Sequence, residues 1–117
     1  VLMTPAGPLH EYPPAVWSVA GVNVPVAGGG WFRQFPGWVT EQGLAAVLRE
    51  GQPAVFYLHP WEVDPGQPRM AVSPVTRIRH YRGLAQCADR LQHLMQRFAF
   101  RSFRSLRGAN ASGTGHV

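Results

Sequence analysis

The sequence predicts an α/β domain, and three stretches of the chain carry that prediction. Residues 36–50 place apolar side chains at three- and four-residue spacing, which predicts a helix. The continuous apolar run 54–58 follows after a short loop and predicts a strand that is buried on both faces. Residues 84–98 repeat the helical spacing and predict a second helix. A helix, a short loop and a buried strand form half of a β/α repeat.

Length and composition narrow the class of protein. The 117 residues suit one small domain, and a hydrophobic share of 45% argues against disorder throughout the chain. No stretch approaches the roughly 20 apolar residues needed to cross a bilayer, so no membrane partner is expected. The N-terminus has no secretory pattern and begins with Val1 rather than Met, which indicates that upstream sequence is missing. The compartment is therefore left open.

The charge is basic, and the cysteine content is minimal. The formal net charge is +5, and all of the 11 basic residues are arginines. They are scattered, with some density at 77–82 and 101–107, as is typical of a solvated surface. No fingerprint of a common nucleic-acid module is present, so such a partner is not expected. The single cysteine, Cys87, excludes an internal disulfide and a thiolate zinc cluster, and its place on an apolar helix face predicts a core position.

The first part of the chain is interpreted as short elements. Residues 1–8 are predicted to be coil, because their prolines and glycine discourage regular structure. β-rich pieces at 16–19 and 22–26 predict short strands, with a hairpin turn at Ala20 and Gly21. Three glycines at 28–30 predict a loop. Pro36 suits the first turn of the helix at 36–50, and Gly51 suits the position after its end.

The second part of the chain ends in a predicted tail. Residues 65–77 are proline-rich and predict a loop. In the helix at 84–98, His93 is expected to face solvent, and a stripe is expected to be core: Leu91, Leu94, Met95 and Phe98. Residues 98–106 suggest a closing edge strand. The domain is expected to span 9–107, with a disordered tail at 108–117.

Three segments occur in order: "GGGWFRQFP", "GQPAVFYLHPWEVDPGQPRM" and "RIRHYRGLAQCADRLQHLMQRFAFRSF". Together they resemble the C-terminal portion of bacterial exosortase-associated polysaccharide deacetylases, in the chitooligosaccharide deacetylase superfamily (carbohydrate esterase family 4). The likeness covers residues 7–106, and "FYLHPWEVDPGQPR" is its specific part. It implies an α/β fold that is the C-terminal fragment of a distorted (β/α) barrel. The implied partners are the missing N-terminal part of that barrel and an N-acetylated polysaccharide.

The resemblance implies a catalytic role for His59. In that family a divalent metal, usually zinc, lies at the barrel mouth, and a histidine at the end of a late strand completes the site. His59 matches this histidine and follows the predicted strand, as barrel chemistry requires. An imidazole titrates near neutrality and can protonate a departing amine, typically for about 10²–10⁴-fold in rate.

The metal-binding part of the family pattern is missing from this chain. There is no "TFDDG"-like segment and no histidine pair with ligand spacing. The other histidines are dispersed: His10, His80, His93 and His116. No metal is therefore expected to be bound by this chain alone, and the chain alone is expected not to deacetylate.

Five further residues are candidates for the site. Trp61, Trp31 and Arg33 are expected to contact the glycan, and Glu62 or Asp64 to orient the imidazole of His59. Structural alternatives stand beside each role. His59 could cap the strand, Trp61 could plug the barrel end, and the two carboxylates could organise the loop. The glycine run before Arg33 could simply connect tightly into a helix, and the neighbours Arg79, His80 and Tyr81 are interpreted as packing and ion-pairing residues.

Two rival functions come from other classes. The chain could be a non-catalytic accessory domain that binds a glycan or a partner through Trp31, Trp61 and the arginines. It could also be a basic nucleic-acid binder, for which a steep salt dependence of binding would be the mark.

Overall fold

The computed structural model describes residues 1–106, which fold into short strands and helices. The strands are β1 (Leu2–Thr4), β2 (Gly7–Leu9), β3 (Val16–Val19) and β4 (Val22–Pro25). The helices are α1 (Gly29–Gln34), α2 (Gly37–Arg49), α3 (Pro74–Tyr81) and α4 (Leu84–Arg97), and a 3-10 turn at Pro60–Val63 lies between α2 and α3. The mixed helix and sheet content agrees with the predicted α/β class. The tail predicted at 108–117 lies outside the described residues.

The N-terminal residues form a hairpin, so the prediction of coil at 1–8 is wrong. β1 and β2 pair antiparallel, with Leu2 opposite Leu9 and Thr4 opposite Gly7. The hydroxyl of Thr4 donates to the carbonyl of Gly7 at 2.7 Å. Pro5 falls in the turn between the strands, where its fixed φ is useful and no ladder hydrogen bond is lost.

The second hairpin confirms the predicted turn. β3 and β4 pair antiparallel with Val19 opposite Val22. The two residues between them, Ala20 and Gly21, have φ values of 49° and 76°. Positive φ at both central residues is the signature of the tight turn whose twist suits a two-residue hairpin.

The segment 54–58 is extended, but it is not the regular strand that the sequence predicts. It makes two isolated parallel bridges, from Val55 to Pro14 and from Tyr57 to Gly28. Ala15 N donates to Val55 O at 3.1 Å, and Tyr57 N donates to Ala27 O at 2.7 Å. A longer ladder does not form, because Pro14 has no N–H to donate and because the chain turns into α1 directly after Gly28. The parallel direction fits a barrel strand, while the barrel itself stays a prediction.

Gly28 permits the close approach between this segment and the start of α1. Its φ is 114°, and a Cβ at this position would collide with the carbonyl group of Tyr57. The next residue, Gly29, donates its N–H to that same carbonyl at 3.1 Å. A glycine is required here on both counts, and the predicted glycine loop is in fact a junction between the segment 54–58 and a helix.

The long helices agree with the prediction, and they cover the core. α2 follows Pro36, and α4 begins at Leu84. The buried apolar cluster draws on residues that flank the hairpin β3–β4 and on α1, α2 and α4: Ala15, Val26, Ala27, Phe32, Leu44, Val47, Cys87 and Leu94. Cys87 is in the core as predicted, and Met95 is not, since it is 57% exposed. His93 faces solvent as predicted and lies 3.4 Å from Glu41 Oε1.

Two segments differ from the prediction near the C-terminal half. Part of the predicted loop at 65–77 is helix α3, which begins at Pro74 and is capped by the Ser73 hydroxyl accepting from Thr76 N at 3.3 Å. The predicted edge strand at 98–106 is wrong: residues 98–102 are irregular and 103–106 form a helical turn. Among the helices of residues 1–106, none combines the length and apolar character that a membrane crossing needs.

Candidate functional site

His59 ends the extended segment and begins the 3-10 turn. Its backbone is extended, with φ of −88° and ψ of 145°, and Pro60 starts the turn directly after it. A proline restricts the preceding residue to this conformation, so the sequence His59-Pro60 fixes the end of the segment. The residue is exposed, while Phe56 and Leu58 behind it pack against the core. The imidazole is therefore carried on anchored backbone and is accessible to solvent.

Glu62 holds the backbone of His59 from two directions. Its carboxylate Oε2 accepts from the backbone N–H of His59 at 3.0 Å. Its own N–H donates to the carbonyl of His59 at 2.9 Å. The Glu62 side chain is fully buried, so this contact is shielded from water. Glu62 therefore positions the main chain at His59. The sequence left open whether Glu62 or Asp64 orients the imidazole or whether both organise the loop.

Arg33 is not placed to contact a glycan, so that prediction is wrong. It is only 4% exposed, and its Nε donates to Glu62 Oε1 at 2.9 Å. Its Nη1 donates to the carbonyls of His80 at 2.8 Å and Arg82 at 3.0 Å. These carbonyls belong to the end of α3, where helical partners are lacking. Arg33 thus joins α1, the 3-10 turn and α3 through one guanidinium group.

An arginine on α4 also fixes α1, at the C-terminal end of that helix. Nη1 of Arg90 donates to the carbonyl of Phe32 at 2.9 Å, and Nη2 donates to that of Phe35 at 2.9 Å. The helix that carries Arg33 is therefore tied to α4 at its C-terminal end. This role of Arg90 was not predicted from the sequence.

Aromatic rings line up beside His59. Trp61 stacks on His80 with ring centroids 4.3 Å apart and an interplanar angle of 12°. The ring of His59 is parallel to that of Trp61 within 6°, at 6.2 Å, and contacts Tyr57 edge to face at 5.9 Å. The guanidinium of Arg33 lies 4.9 Å from the Trp61 ring centre. Neighbouring side chains of the protein itself therefore cover much of the aromatic surface of Trp61.

An open cleft of about 590 Å³ lies next to this row of rings. Aromatic, polar and basic side chains line it: Trp31, Gln34, Tyr57, Thr76, Arg79 and His80. Trp31 is 48% exposed and Tyr57 is 45% exposed, so both rings present apolar surface to the solvent. Of the predicted glycan contacts, Trp31 lines this cleft, and Tyr57 and His80 join it without having been predicted.

Asp64 organises the loop after the 3-10 turn. Its carboxylate Oδ1 accepts from the backbone N–H of Gly66 at 3.0 Å, two residues further on. This is the usual turn geometry for an aspartate before Pro-Gly. The contact corresponds to the loop-organising alternative that the sequence left open for this residue.

Cys87 lies under the site without being part of it. Burial raises the pKa of its thiol above the usual value, and the nearby carboxylate of Glu62 raises it further. A protonated buried thiol is a poor nucleophile and a poor metal ligand. Cys87 therefore acts here as a small core side chain.

The described residues do not fit a metal site. Within residues 1–106, no group of three or more histidine, cysteine, aspartate or glutamate side chains could hold a metal ion. Of the carboxylates near His59, Glu62 is engaged by Arg33 and Asp64 by the loop backbone. No chemical step is therefore assigned to a metal held by this part of the chain.

Comparison with known proteins agrees with the resemblance at the level of the family. The model of DUF3473, a domain of unknown function, matches residues 1–107. The chain belongs to the DUF3473 family. This family is known as the C-terminal domain of polysaccharide deacetylases. No curated protein and no solved structure matches the chain.

In this DUF3473 domain, part of the site could have been found in the sequence. His59 and Glu62 have the spacing of a capping box, in which the third residue of a helical turn bonds back to the cap. The partner Arg33 is 29 residues from Glu62 and carries no local signal. The same holds for His80, which only the packing of α3 brings against Trp61.

Proposed function

We propose that this domain is the C-terminal part of a metal-dependent polysaccharide N-deacetylase and that His59 is its proton donor. The observation that carries the proposal is the placement of His59. It is exposed at the end of an extended segment with parallel pairing, and its backbone is clamped by a buried carboxylate. Its ring contacts that of Tyr57, which lines the open cleft. The known position of the family, at the C-terminus of polysaccharide deacetylases, supports the same reading.

The reaction needs a proton at the leaving nitrogen. Water adds to the acetyl carbon of an N-acetylated sugar, the C–N bond breaks, and acetate and the free amine are formed. An amine anion is a very poor leaving group, so the nitrogen must be protonated as the bond breaks. The imidazolium of His59 gives this proton. The attacking water loses one proton as it adds, so the number of protons is the same before and after the reaction. A positioned acid of this kind contributes about 10²–10⁴-fold in rate.

Glu62 and Arg33 serve this step as positioning residues. The carboxylate of Glu62 holds the main chain at His59, and Arg33 holds the carboxylate. Since a misplacement of about 1 Å can cost a catalytic group 10²-fold, a buried clamp on the backbone is a useful device. Neither side chain touches the substrate in this proposal.

The metal belongs to another part of the enzyme in this proposal. The described residues offer no metal site, and the missing N-terminal part of the barrel is proposed to hold the divalent ion, usually zinc in such enzymes. The substrate is proposed to be an N-acetylated polysaccharide that reaches both parts.

The test compares the complete protein containing this domain with the 117-residue chain. Acetate release from tetra-N-acetylchitotetraose is measured with added zinc for both proteins and for His59→Ala in the complete protein. We expect release by the complete protein, a loss of about 10²–10⁴-fold in His59→Ala, and no release by the isolated chain. Full activity of His59→Ala, or acetate release by the isolated chain, contradicts the proposal.

A second candidate is a non-catalytic accessory domain that binds a glycan or a partner. The exposed rings of Trp31 and Tyr57 at the open cleft favour it. Glycan affinity of the isolated chain that is unchanged by His59→Ala, together with full activity of that variant in the complete protein, would favour this candidate over the first.

A further inference from the structure

Two exposed aromatic rings, Trp31 and Tyr57, line the cleft near His59. Trp31 packs one side of its indole against Phe35, with centroids 5.2 Å apart and an angle of 27°, and it remains 48% exposed. Tyr57 is 45% exposed and also lines the cleft. Backed and exposed rings of this type offer a flat apolar face to the C–H groups of a sugar, while a free surface ring would be mobile.

The cleft is also lined by basic residues and by no carboxylate. Arg79 and His80, in the last turn of α3, line the cleft together with Thr76. Among the ion pairs between residues 1–106, none involves the guanidinium of Arg79, which is exposed. The nearest buried carboxylate, Glu62, is already neutralised by Arg33 at 2.9 Å. The cleft therefore presents positive charge without a compensating acid in its lining.

The combination of a ring platform and an uncompensated arginine selects for a particular ligand chemistry. A neutral sugar would use the rings and leave the guanidinium without a charged partner. A nucleotide base would also stack, but the basic side chains here form one small cluster and not a stripe along which a phosphate backbone could run. A planar carboxylate on a sugar ring matches the fork of an arginine and permits stacking of the same ring.

We propose that this cleft binds an acidic sugar residue, with its carboxylate on Arg79 and its ring against Trp31. The proposal rests on the proposed function in taking the ligand to be a glycan and in taking the sugar at His59 to be N-acetylated. The ring of Tyr57 contacts the ring of His59, with centroids 5.9 Å apart. A sugar residue held in the cleft therefore adjoins the sugar residue on which His59 acts. The substrate is accordingly a polysaccharide in which uronate-type residues alternate with, or adjoin, N-acetylated ones.

The test measures binding by the 117-residue chain and needs no deacetylation. Titration calorimetry compares tetragalacturonate with its fully methyl-esterified form, which keeps the rings and removes the charge. We expect the acid to bind at least about tenfold more tightly, because a charge-assisted contact contributes roughly 1.4 kcal/mol or more. Arg79→Gln should remove that difference, and Trp31→Ala should weaken both ligands.

The matched control is Arg77→Gln. Arg77 is exposed on the same helix and does not line the cleft, so its replacement should leave both affinities unchanged. Equal affinity for acid and ester, or an equal loss in Arg77→Gln and Arg79→Gln, would overturn the proposal. Tighter binding of oligothymidylate than of tetragalacturonate, with the same dependence on Arg79, would overturn it in favour of a nucleic-acid site.

The outcome is separable from that of the proposed function. If the complete protein releases no acetate but the isolated chain distinguishes acid from ester through Arg79, the acidic-sugar site stands and the deacetylase assignment fails. If acetate release depends on His59 but the two ligands bind alike, the deacetylase assignment stands and the acidic-sugar site fails.

Discussion

At Glu62, each carboxylate oxygen has its own partner: Oε1 accepts from Arg33 Nε, and Oε2 accepts from the backbone N–H of His59. The side chains of Glu62 and Arg33 are 1% and 2% exposed. Removing one member of a buried pair leaves the other charge without compensation in a medium that solvates it poorly. The consequences for stability are therefore much larger than for an ion pair on the surface.

Glu62→Ala should lower the free energy of unfolding by about 3–5 kcal/mol, because the guanidinium of Arg33 is left buried and unpaired. Denaturant unfolding of the isolated chain measures this change. Glu41→Ala is the matched control, since Glu41 pairs with the exposed side chains of His93 and Arg97, and it should cost at most about 1 kcal/mol. An equal loss of unfolding free energy in the two variants would contradict the claim that the buried pair contributes more to stability than the exposed one.

The residue scale also shows where sequence reasoning stops. The step from His59 to Glu62 is local, so the spacing alone could have indicated a cap. Arg33 was expected to contact a glycan because the glycine run before it could let the backbone approach the substrate. In the fold, α1 turns it inward, and three carbonyls at the end of α3 and the Glu62 carboxylate take up its donors.

At the scale of elements, α2 lies against the hairpin β3–β4 through a glycine. A Cβ added at Gly43 would meet Val26 Cγ1 at 2.6 Å and Cγ2 at 2.9 Å. Val26 is 1% exposed and β-branched, so its side chain has little freedom to move aside. The close approach of the helix to the end of β4 therefore depends on the absence of a side chain at position 43.

Gly43→Ala should destabilise the domain by about 1–3 kcal/mol through overpacking, despite the better helix propensity of alanine. Gly37→Ala, in the first turn of the same helix with nothing within 4 Å of the added Cβ, should be neutral or slightly stabilising. Thermal unfolding followed by circular dichroism measures both. The double variant Gly43→Ala with Val26→Ala should be less destabilised than the sum of the two single substitutions, because the smaller side chain at 26 makes room for the added Cβ. A double variant as unstable as that sum would contradict the packing account.

The elements differ in how far the sequence determined them. α2 and α4 each have a long apolar stripe, which local periodicity reveals. α3 has only eight residues, and Val75 and Ile78 on it are exposed, so it lacks such a stripe. Its start signal, Ser73-Pro74, lies among other prolines and was interpreted with them as part of a loop. The extended character of 54–58 was predictable from its apolar run, whereas its short parallel pairing depends on distant segments.

At the scale of the whole molecule, Cys87 reports on the integrity of the core. It is 0% exposed, and burial raises the pKa of its thiol, so the thiolate that reacts with disulfide reagents is scarce in the folded state. The core around it is shared by the hairpin and by α1, α2 and α4. A reagent can therefore reach it only when much of the fold opens.

We expect Cys87 to react with Ellman's reagent at a rate that follows global unfolding and rises steeply with denaturant. The control introduces Ala85→Cys into a Cys87→Ala background, because residue 85 is exposed on the same helix. That thiol should react at once without denaturant. Rapid reaction of Cys87 in the native protein would show that the core opens locally and would contradict the packing described here.

The molecule as a whole is proposed to supply one acid to a larger active site, and the identity of the leaving group tests that claim most directly. Deacetylation rates of the complete protein and of His59→Ala are compared on an N-acetylated sugar and on 4-nitrophenyl acetate, whose phenolate leaves without protonation. The account predicts that His59→Ala loses about 10²–10⁴-fold on the amide and less than about tenfold on the ester. An equal loss on both substrates would contradict it, since a residue needed only for structure does not distinguish one leaving group from another.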